Sequence, residues 1–357
     1  MGNPSYSPPW FLKNGLAMTL YATFWIPRFW EETITFSKLS YQDKIFIGAN
    51  GVPIFAWMAI PENPKGTIIG TYGITGDLDN QWFLKLLGRK AYAQGYAVIL
   101  FDWRGHGKTA LLSPTLTSDG IYEGQDFVHI AAQAKAMGCP PNFWFTGYSL
   151  GGQLTLWGAK VAESLAPELG LAETDIGGCA VICPSLESQR SLSYLNSYPL
   201  GKRLDKGITK NLKKLAWLIH KHHPDFIDIE AIKRANSIWK FDEEFIIKSL
   251  GFLSVEAYYK ATSPLYFLPH LQKKTLIIYA EDDPLFDPTI VPELKTVCQN
   301  NSAIDLILTR YGGHVAHISN KSCQKLAQDP DIWWAWNRVF EWIKQNETAT
   351  LKTTVIV

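Results

Sequence analysis

The chain has 357 residues, 46% of them hydrophobic and 19% charged, and a net charge of +1, enough to bury a large core without a basic excess. That balance removes any compositional case for nucleic-acid binding or for steering a charged substrate. Five cysteines (Cys139, Cys179, Cys183, Cys298 and Cys323) lack framework spacing, so they read as free buried thiols of a reducing compartment and not as a metal site.

Residues 1–30 are an aromatic, Pro-rich arm: Pro8-Pro9-Trp10-Phe11, then an apolar helix-like run to Trp30. Leu16–Ile26 is too short to span a bilayer. The start of the chain lacks the basic region and cleavage site of a signal peptide, and Tyr6 breaks a myristoylation motif at Gly2. The expectation is a cytoplasmic protein whose arm lies across the main body or reaches a membrane surface. Strand-like runs follow at Thr33–Leu39, Lys44–Ile47 and Val52–Ala59, separated by turn signals, and predict an antiparallel meander.

The pattern then changes. Thr67–Tyr72 and Tyr96–Trp103 are unbroken apolar strands with a helix-period stretch, Asp79–Gln94, between them, which is the mark of a parallel sheet covered on both faces. A helix at Tyr122–Met137, a strand at Phe143–Phe145 with a helix after it, and a strand at Gly178–Pro184 continue the alternation. Residues 186–272 carry amphipathic stretches (Leu212–His220, Ile229–Trp239, Phe245–Tyr259) and no good strand, so they predict an inserted helical lid. A strand at Thr275–Ala280, a helix near Pro288–Cys298, a strand at Ile304–Arg310 and a Trp-rich helix at Pro330–Gln345 close the chain. The domain reading is arm 1–30, core 31–185, lid 186–272, core 273–346 and tail 347–357.

Gly147-Tyr148-Ser149-Leu150-Gly151 matches the G-x-S-x-G elbow, in which a serine on a strained strand-to-helix turn exposes its hydroxyl above the sheet. Acyl transfer also needs a base, a carboxylate behind it and two N–H groups facing the oxyanion. Later strand ends supply them in order: Glu281-Asp282-Asp283-Pro284 after one strand, Gly312-Gly313-His314 after the next. Asp283 competes with Asp282, Asp287 and Glu281, and His314 with His317. The oxyanion donors expected are the N–H groups of Leu150 and Ile74. Arg104-Gly105-His106-Gly107 reads as a loop brace. The run His220, His222, His223 and Asp225 reads as a solvated helix end. No phosphate-cradling motif occurs, and no cofactor or metal is expected.

On these motifs the chain resembles the α/β-hydrolases, and within them the YheT-type bacterial hydrolases and related eukaryotic esterases and phospholipases. The resemblance spans nearly the whole chain, including Pro9–Gly15, Phe101-Asp102-Trp103-Arg104-Gly105-His106-Gly107, the elbow, and the acid and histidine loops. In the family's acid motif the aspartate lies three residues after a small strand-end residue, which implies Asp283 counted from Ala280. The glycine pair implies His314. Two departures stand out: Tyr72-Gly73 where the family's oxyanion loop opens His-Gly, and Leu16-Ala17-Met18-Thr19 where its arm reads His-Leu-Gln-Thr.

The fold expected is α/β: a mostly parallel central sheet with helices on both faces and an inserted helical lid. The function expected is a serine hydrolase cleaving esters of apolar acyl chains through an acyl-enzyme, with Ser149 attacking, His314 moving the proton and Asp283 holding the imidazolium. The alternatives are an acyltransferase with an alcohol acceptor and a non-catalytic binding protein. The partner expected is a small-molecule or lipid ester; the sequence is silent on oligomeric state.

Overall fold

The computed structural model describes residues 5–354. The Gly2 motif lies outside the described residues. Eight strands form one sheet: β1 (Gln42–Ile47), β2 (Pro53–Ala59), β3 (Thr67–Thr71), β4 (Ala97–Phe101), β5 (Phe143–Tyr148), β6 (Ile176–Ile182), β7 (Thr275–Ala280) and β8 (Ile304–Thr309). Their order is β1-β2-β4-β3-β5-β6-β7-β8. The first two are antiparallel to their neighbours and the remaining six run parallel.

Every residue of β3, β4, β5 and β7 is buried, which is why these strands read as unbroken apolar runs and not as alternating ones. Successive side chains of a strand point to opposite faces, and β5 shows what covers each. Phe145 meets Phe127 of the helix Ile121–Ala136, and Trp144 meets Trp342 of the last helix. That last helix runs from Trp334 to Thr354, past the end expected at Gln345.

The expected strand at Thr33–Leu39 does not form. Residues 34–41 join no ladder. Their alternation is real, with Ile34 and Phe36 half-buried between exposed Thr35 and Ser37, but the segment docks through side chains. Phe36 lies under the Lys90 ammonium at 5.2 Å. Period-two exposure without a hydrogen-bonding partner gives extended chain and no sheet.

Between β6 and β7 the chain makes a separate group of helices with its own apolar cluster, including Leu212, Ala216, Ile219, Ile232, Phe241 and Ile246. One helix is long, Pro199–His222. The expected helix Ile229–Trp239 is broken into Ile229–Arg234 and Ile238–Phe241, the second capped by the Ser237 hydroxyl. The stretch Phe245–Tyr259 is broken at Gly251, whose φ of 75° ends one helix before Ser254 caps the next at Val255–Thr262.

The arm packs on the core. Leu12, Met18, Ile26 and Trp30 are buried, and Asn14 caps the arm helix Gly15–Phe24 by accepting the Ala17 N–H at 3.0 Å.

Candidate active site

Ser149 sits between β5 and the helix Leu150–Glu168 at φ 56°, ψ −131°, a backbone conformation costly for any residue with a Cβ. The glycines around it have steric work. A Cβ on Gly147 would lie 2.4 Å from the Gly151 carbonyl oxygen, and one on Gly151 would lie 2.3 Å from that of Tyr72. Strand, helix and the loop after β3 therefore close on the serine at distances only glycine permits.

The loops after β7 and β8 meet there. The Ser149 hydroxyl donates to His314 Nε2 at 2.8 Å, and His314 Nδ1–H donates to Asp283 Oδ2 at 2.8 Å. The other Asp283 oxygen accepts the Leu285 N–H at 2.9 Å, which fixes the carboxylate plane. The competing acids are engaged elsewhere. Asp282 accepts the Gly313 N–H at 2.9 Å, Asp287 the Thr289 N–H at 2.8 Å, and Glu281 pairs with Lys295. His317 is buried against Thr309 and stacks on Trp334, and burial pushes its imidazole down to about 4.

One contributor was not visible in the sequence. The Thr19 hydroxyl of the arm helix accepts the His314 N–H at 2.8 Å and donates to the Gly15 carbonyl at 2.7 Å. Thr19 is the one position at which Leu16-Ala17-Met18-Thr19 agrees with the family's His-Leu-Gln-Thr, but the motif alone does not say what the threonine holds.

Leu150 and Ile74 both line the cavity above Ser149, and neither N–H is taken by a hydrogen bond among the described residues. A Cβ on Gly73 would lie 3.2 Å from the Ser149 hydroxyl oxygen, so the loop after β3 passes directly over it. Tyr72, where the family has histidine, is fully buried. Its hydroxyl donates to Asp102 at 2.6 Å, and Asp102 also accepts the Leu78 and Lys108 N–H groups. Burial lifts the Asp102 carboxyl to about 6 against the pull of these donors. Tyr72 thus ties the loop to the strand beside it.

His106 is a second tie. Its Nε2 accepts the Thr75 N–H at 3.2 Å while Nδ1 faces the Arg104 carbonyl, and the ring stacks on Trp103. Burial holds it down to about 3, so it stays neutral and able to accept. Arg104 itself is spent on a two-pronged pair with Asp126, at 2.7 and 2.8 Å. The brace reading fits this geometry. His220, His222 and His223 each face a backbone carbonyl, at 2.9, 2.9 and 3.2 Å. All five cysteines are buried and unbridged.

Two openings meet at the serine. One is an apolar cavity of about 130 Å³ under the inserted helices, walled by Leu192, Leu212, Leu215, Ala216, Ile219 and Phe241 among others. The other is a groove between the arm helix and the loop after β3, with Thr19, Thr23, Thr75, Asn80 and Gln81 along it. Ile74, Ser149, Ile208 and Leu285 border both.

Residues 76–324 match the model of the "Alpha/beta hydrolase family". The chain belongs to the alpha/beta hydrolase family. It is 50% identical to "Putative esterase slr0264" of Synechocystis sp., across 97% of this chain and 96% of that one. It is 27% identical to the mouse "Phospholipase ABHD3", across 72% of this chain and 60% of that protein. Among solved structures, the Pyrococcus furiosus esterase Pf2001 superimposes with a TM-score of 0.53 at 17% identity, covering 86% of this chain and 93% of that one, a likeness of fold alone. Among the described residues, no helix of this α/β-hydrolase is long and apolar enough to cross a membrane.

Proposed function

We propose that Ser149, His314 and Asp283 carry the acyl transfer in this chain, which is a carboxylic-ester hydrolase. The observation that carries the reading is the unbroken hydrogen-bond path from Ser149 through His314 to Asp283, at the junction of an apolar cavity and a groove of mixed polarity. His314 Nε2 takes the serine proton as Oγ attacks the ester carbonyl, while Asp283 stabilises the imidazolium. The N–H groups of Leu150 and Ile74 hold the oxyanion. Collapse of the tetrahedral species breaks the bond to the alcohol, which leaves with the proton from Nε2. Water then attacks the acyl carbonyl as His314 Nε2 takes its proton; collapse breaks the bond to Ser149 Oγ, which receives that proton as the acid is released.

The apolar cavity suits the acyl chain and the groove the departing alcohol. A space of about 130 Å³ is close to the ~150 Å³ that holds a benzene ring in engineered cavities, which favours chains of medium length. In this reading residues 186–272 are a lid and residues 1–30 an arm attached to the core. Labelling by a fluorophosphonate tests the nucleophile without knowledge of the substrate. Ser149→Ala should abolish both labelling and turnover with little change in melting temperature, and Asp283→Asn should lower turnover by roughly 10⁴-fold. Alanine-variant turnover at the wild-type rate would sink the serine mechanism.

A peripheral lipid contact belongs to the same reading. Trp10, Phe11, Phe24 and Trp25 of the arm are 84, 50, 64 and 53% exposed, and aromatic rings are favoured at a membrane–water interface. With a net charge of +1, binding should be salt-insensitive and driven by apolar burial. Co-sedimentation with phosphatidylcholine vesicles should fall when Trp10 and Phe24 become serine. A wild-type protein that stays in the supernatant removes the contact.

A further inference from the structure

The cavity under the inserted helices is mostly apolar, with Ser149, Ser185, Ser188 and Ser191 among its polar lining and two carboxylates on its wall. Asp119, from the loop before the helix Ile121–Ala136, and Asp242, from the inserted helices, both line it, with Tyr259 beside them. Each aspartate is 8% exposed. We propose that Asp119, Asp242 and Tyr259 form a polar notch that receives a hydroxyl carried on the substrate's acyl chain. This rests on the serine-esterase reading above and names the substrate class of that same site.

Neighbouring buried acids show what a structural role looks like. Glu123 accepts the Ser118 N–H and hydroxyl and the Gly120 N–H. Asp205 accepts the Ile238 N–H at 2.9 Å and the Thr209 hydroxyl. The two cavity aspartates are not so filled. Asp119 has a long contact from the Thr117 hydroxyl, at 3.4 Å on Oδ1, and the Tyr258 hydroxyl faces it. Asp242 accepts from the Tyr259 hydroxyl on Oδ2, and its Oδ1 takes no hydrogen bond among the described residues. Both carboxylates lie on the wall of the cavity that holds Ser149.

Burial lifts both carboxyls, Asp119 to about 7, and the negative charges of Asp119, Asp205 and Glu123 add to the effect. Burial thus disfavours the ionised form of each. A hydroxyl suits such groups in either form, because it donates to a carboxylate and accepts from a carboxylic acid. A plain alkyl chain at the same place would cover the carboxylates and return no hydrogen bond.

The test uses the full chain and nitrophenyl octanoate, set against octanoyl esters with one hydroxyl moved along the distal half of the chain and against their methoxy counterparts. At one position the hydroxy ester should exceed octanoate in kcat/KM by roughly tenfold or more, the return expected of a hydrogen bond to a charged group. Its methoxy counterpart, which cannot donate, should show no gain. Asp242→Leu should bring the hydroxy and alkyl esters level, octanoate gaining as the carboxylate goes; Asp119→Asn, a gentler change, should narrow the ratio if the leucine variant folds poorly. The ratio is the readout because a merely structural role would move both esters together. A flat hydroxyl series, a methoxy ester as good as the hydroxy ester, or a preference that survives both variants overturns the notch. Absence of Ser149-dependent octanoate turnover would instead overturn the esterase reading beneath it.

Discussion

The arm and the inserted helices both lie over the site, and they meet the core in different ways. The arm touches backbone. A Cβ on Gly15 would lie 1.7 Å from the Asp282 carbonyl oxygen, a Cβ on Gly313 would lie 2.6 Å from the Gly15 carbonyl oxygen, and Thr19 holds the His314 N–H. The inserted helices approach the site through side chains and keep an apolar cluster of their own. Their polar ties to the core are made by side chains: Trp157 and Gln153 reach the Thr262 carbonyl, the Tyr198 hydroxyl donates to the Pro284 carbonyl and the His223 ring faces the Leu111 carbonyl. Backbone contact sets the position of the acid and histidine loops; side-chain contact sets the shape of the space above them. The first should govern whether the site exists and the second what it accepts.

Removing residues 1–30 is the strongest way to break that contrast. The deletion strips Leu12, Met18, Ile26 and Trp30 from the core, at about 1.5–3 kcal/mol for each buried side chain. The expected outcome is insoluble protein or a melting temperature lower by roughly 10–20 °C, with turnover lost on short and long esters alike. A soluble truncated chain that melts and turns over like the wild type would make the arm an appendage. Thr19→Val sharpens the same point at nearly constant volume. It leaves the part-buried His314 N–H without its acceptor, a loss of about 1 kcal/mol. We expect kcat on an acetate ester to fall roughly tenfold to a hundredfold with a small change in melting temperature, and Thr19→Ser to restore most of it.

What the sequence made legible follows the same division. β3, β4, β5 and β7 were readable because strands buried on both faces leave continuous apolar runs. Ser149 and Asp283 were readable as candidates because each follows such a strand, and His314 because a glycine pair marks the exit from β8, whose burial is only partial; the three lie within hydrogen-bonding distance. Thr19 was not, since its meaning is a contact with a residue 295 positions away. The purpose of Tyr72 was hidden likewise, because its partner Asp102 belongs to the loop after β4. Thr33–Leu39 failed for a related reason: alternation reports exposure, and a strand also needs a partner to bond. The helices between β6 and β7 were legible in kind and not in extent, since Gly251 and the capping serines cut runs that hydrophobic period alone would join.

The inserted helices supply the smallest and most selective effect. Ala216 lies in the C-terminal half of the helix Pro199–His222, buried, on the wall of the apolar cavity. Ala216→Phe adds a ring to that wall, filling open space before it meets packed neighbours. Overpacking a tight core costs about 1–3 kcal/mol, and a cavity to grow into should hold the cost at the lower end. The acyl chain loses the room instead. In a nitrophenyl ester series from acetate upward, kcat/KM for acetate should stay within about twofold of wild type, because the hydrogen bonds of Ser149, His314 and Asp283 lie below the substituted wall. The longest esters should lose roughly 10–200-fold, the range spanned when a hydrophobic pocket gains or loses a small group. A uniform fall across the series would mean that the inserted helices position the site as the arm does. A series that does not change would mean that the acyl chain runs along the groove beside the arm helix and not beneath the inserted helices.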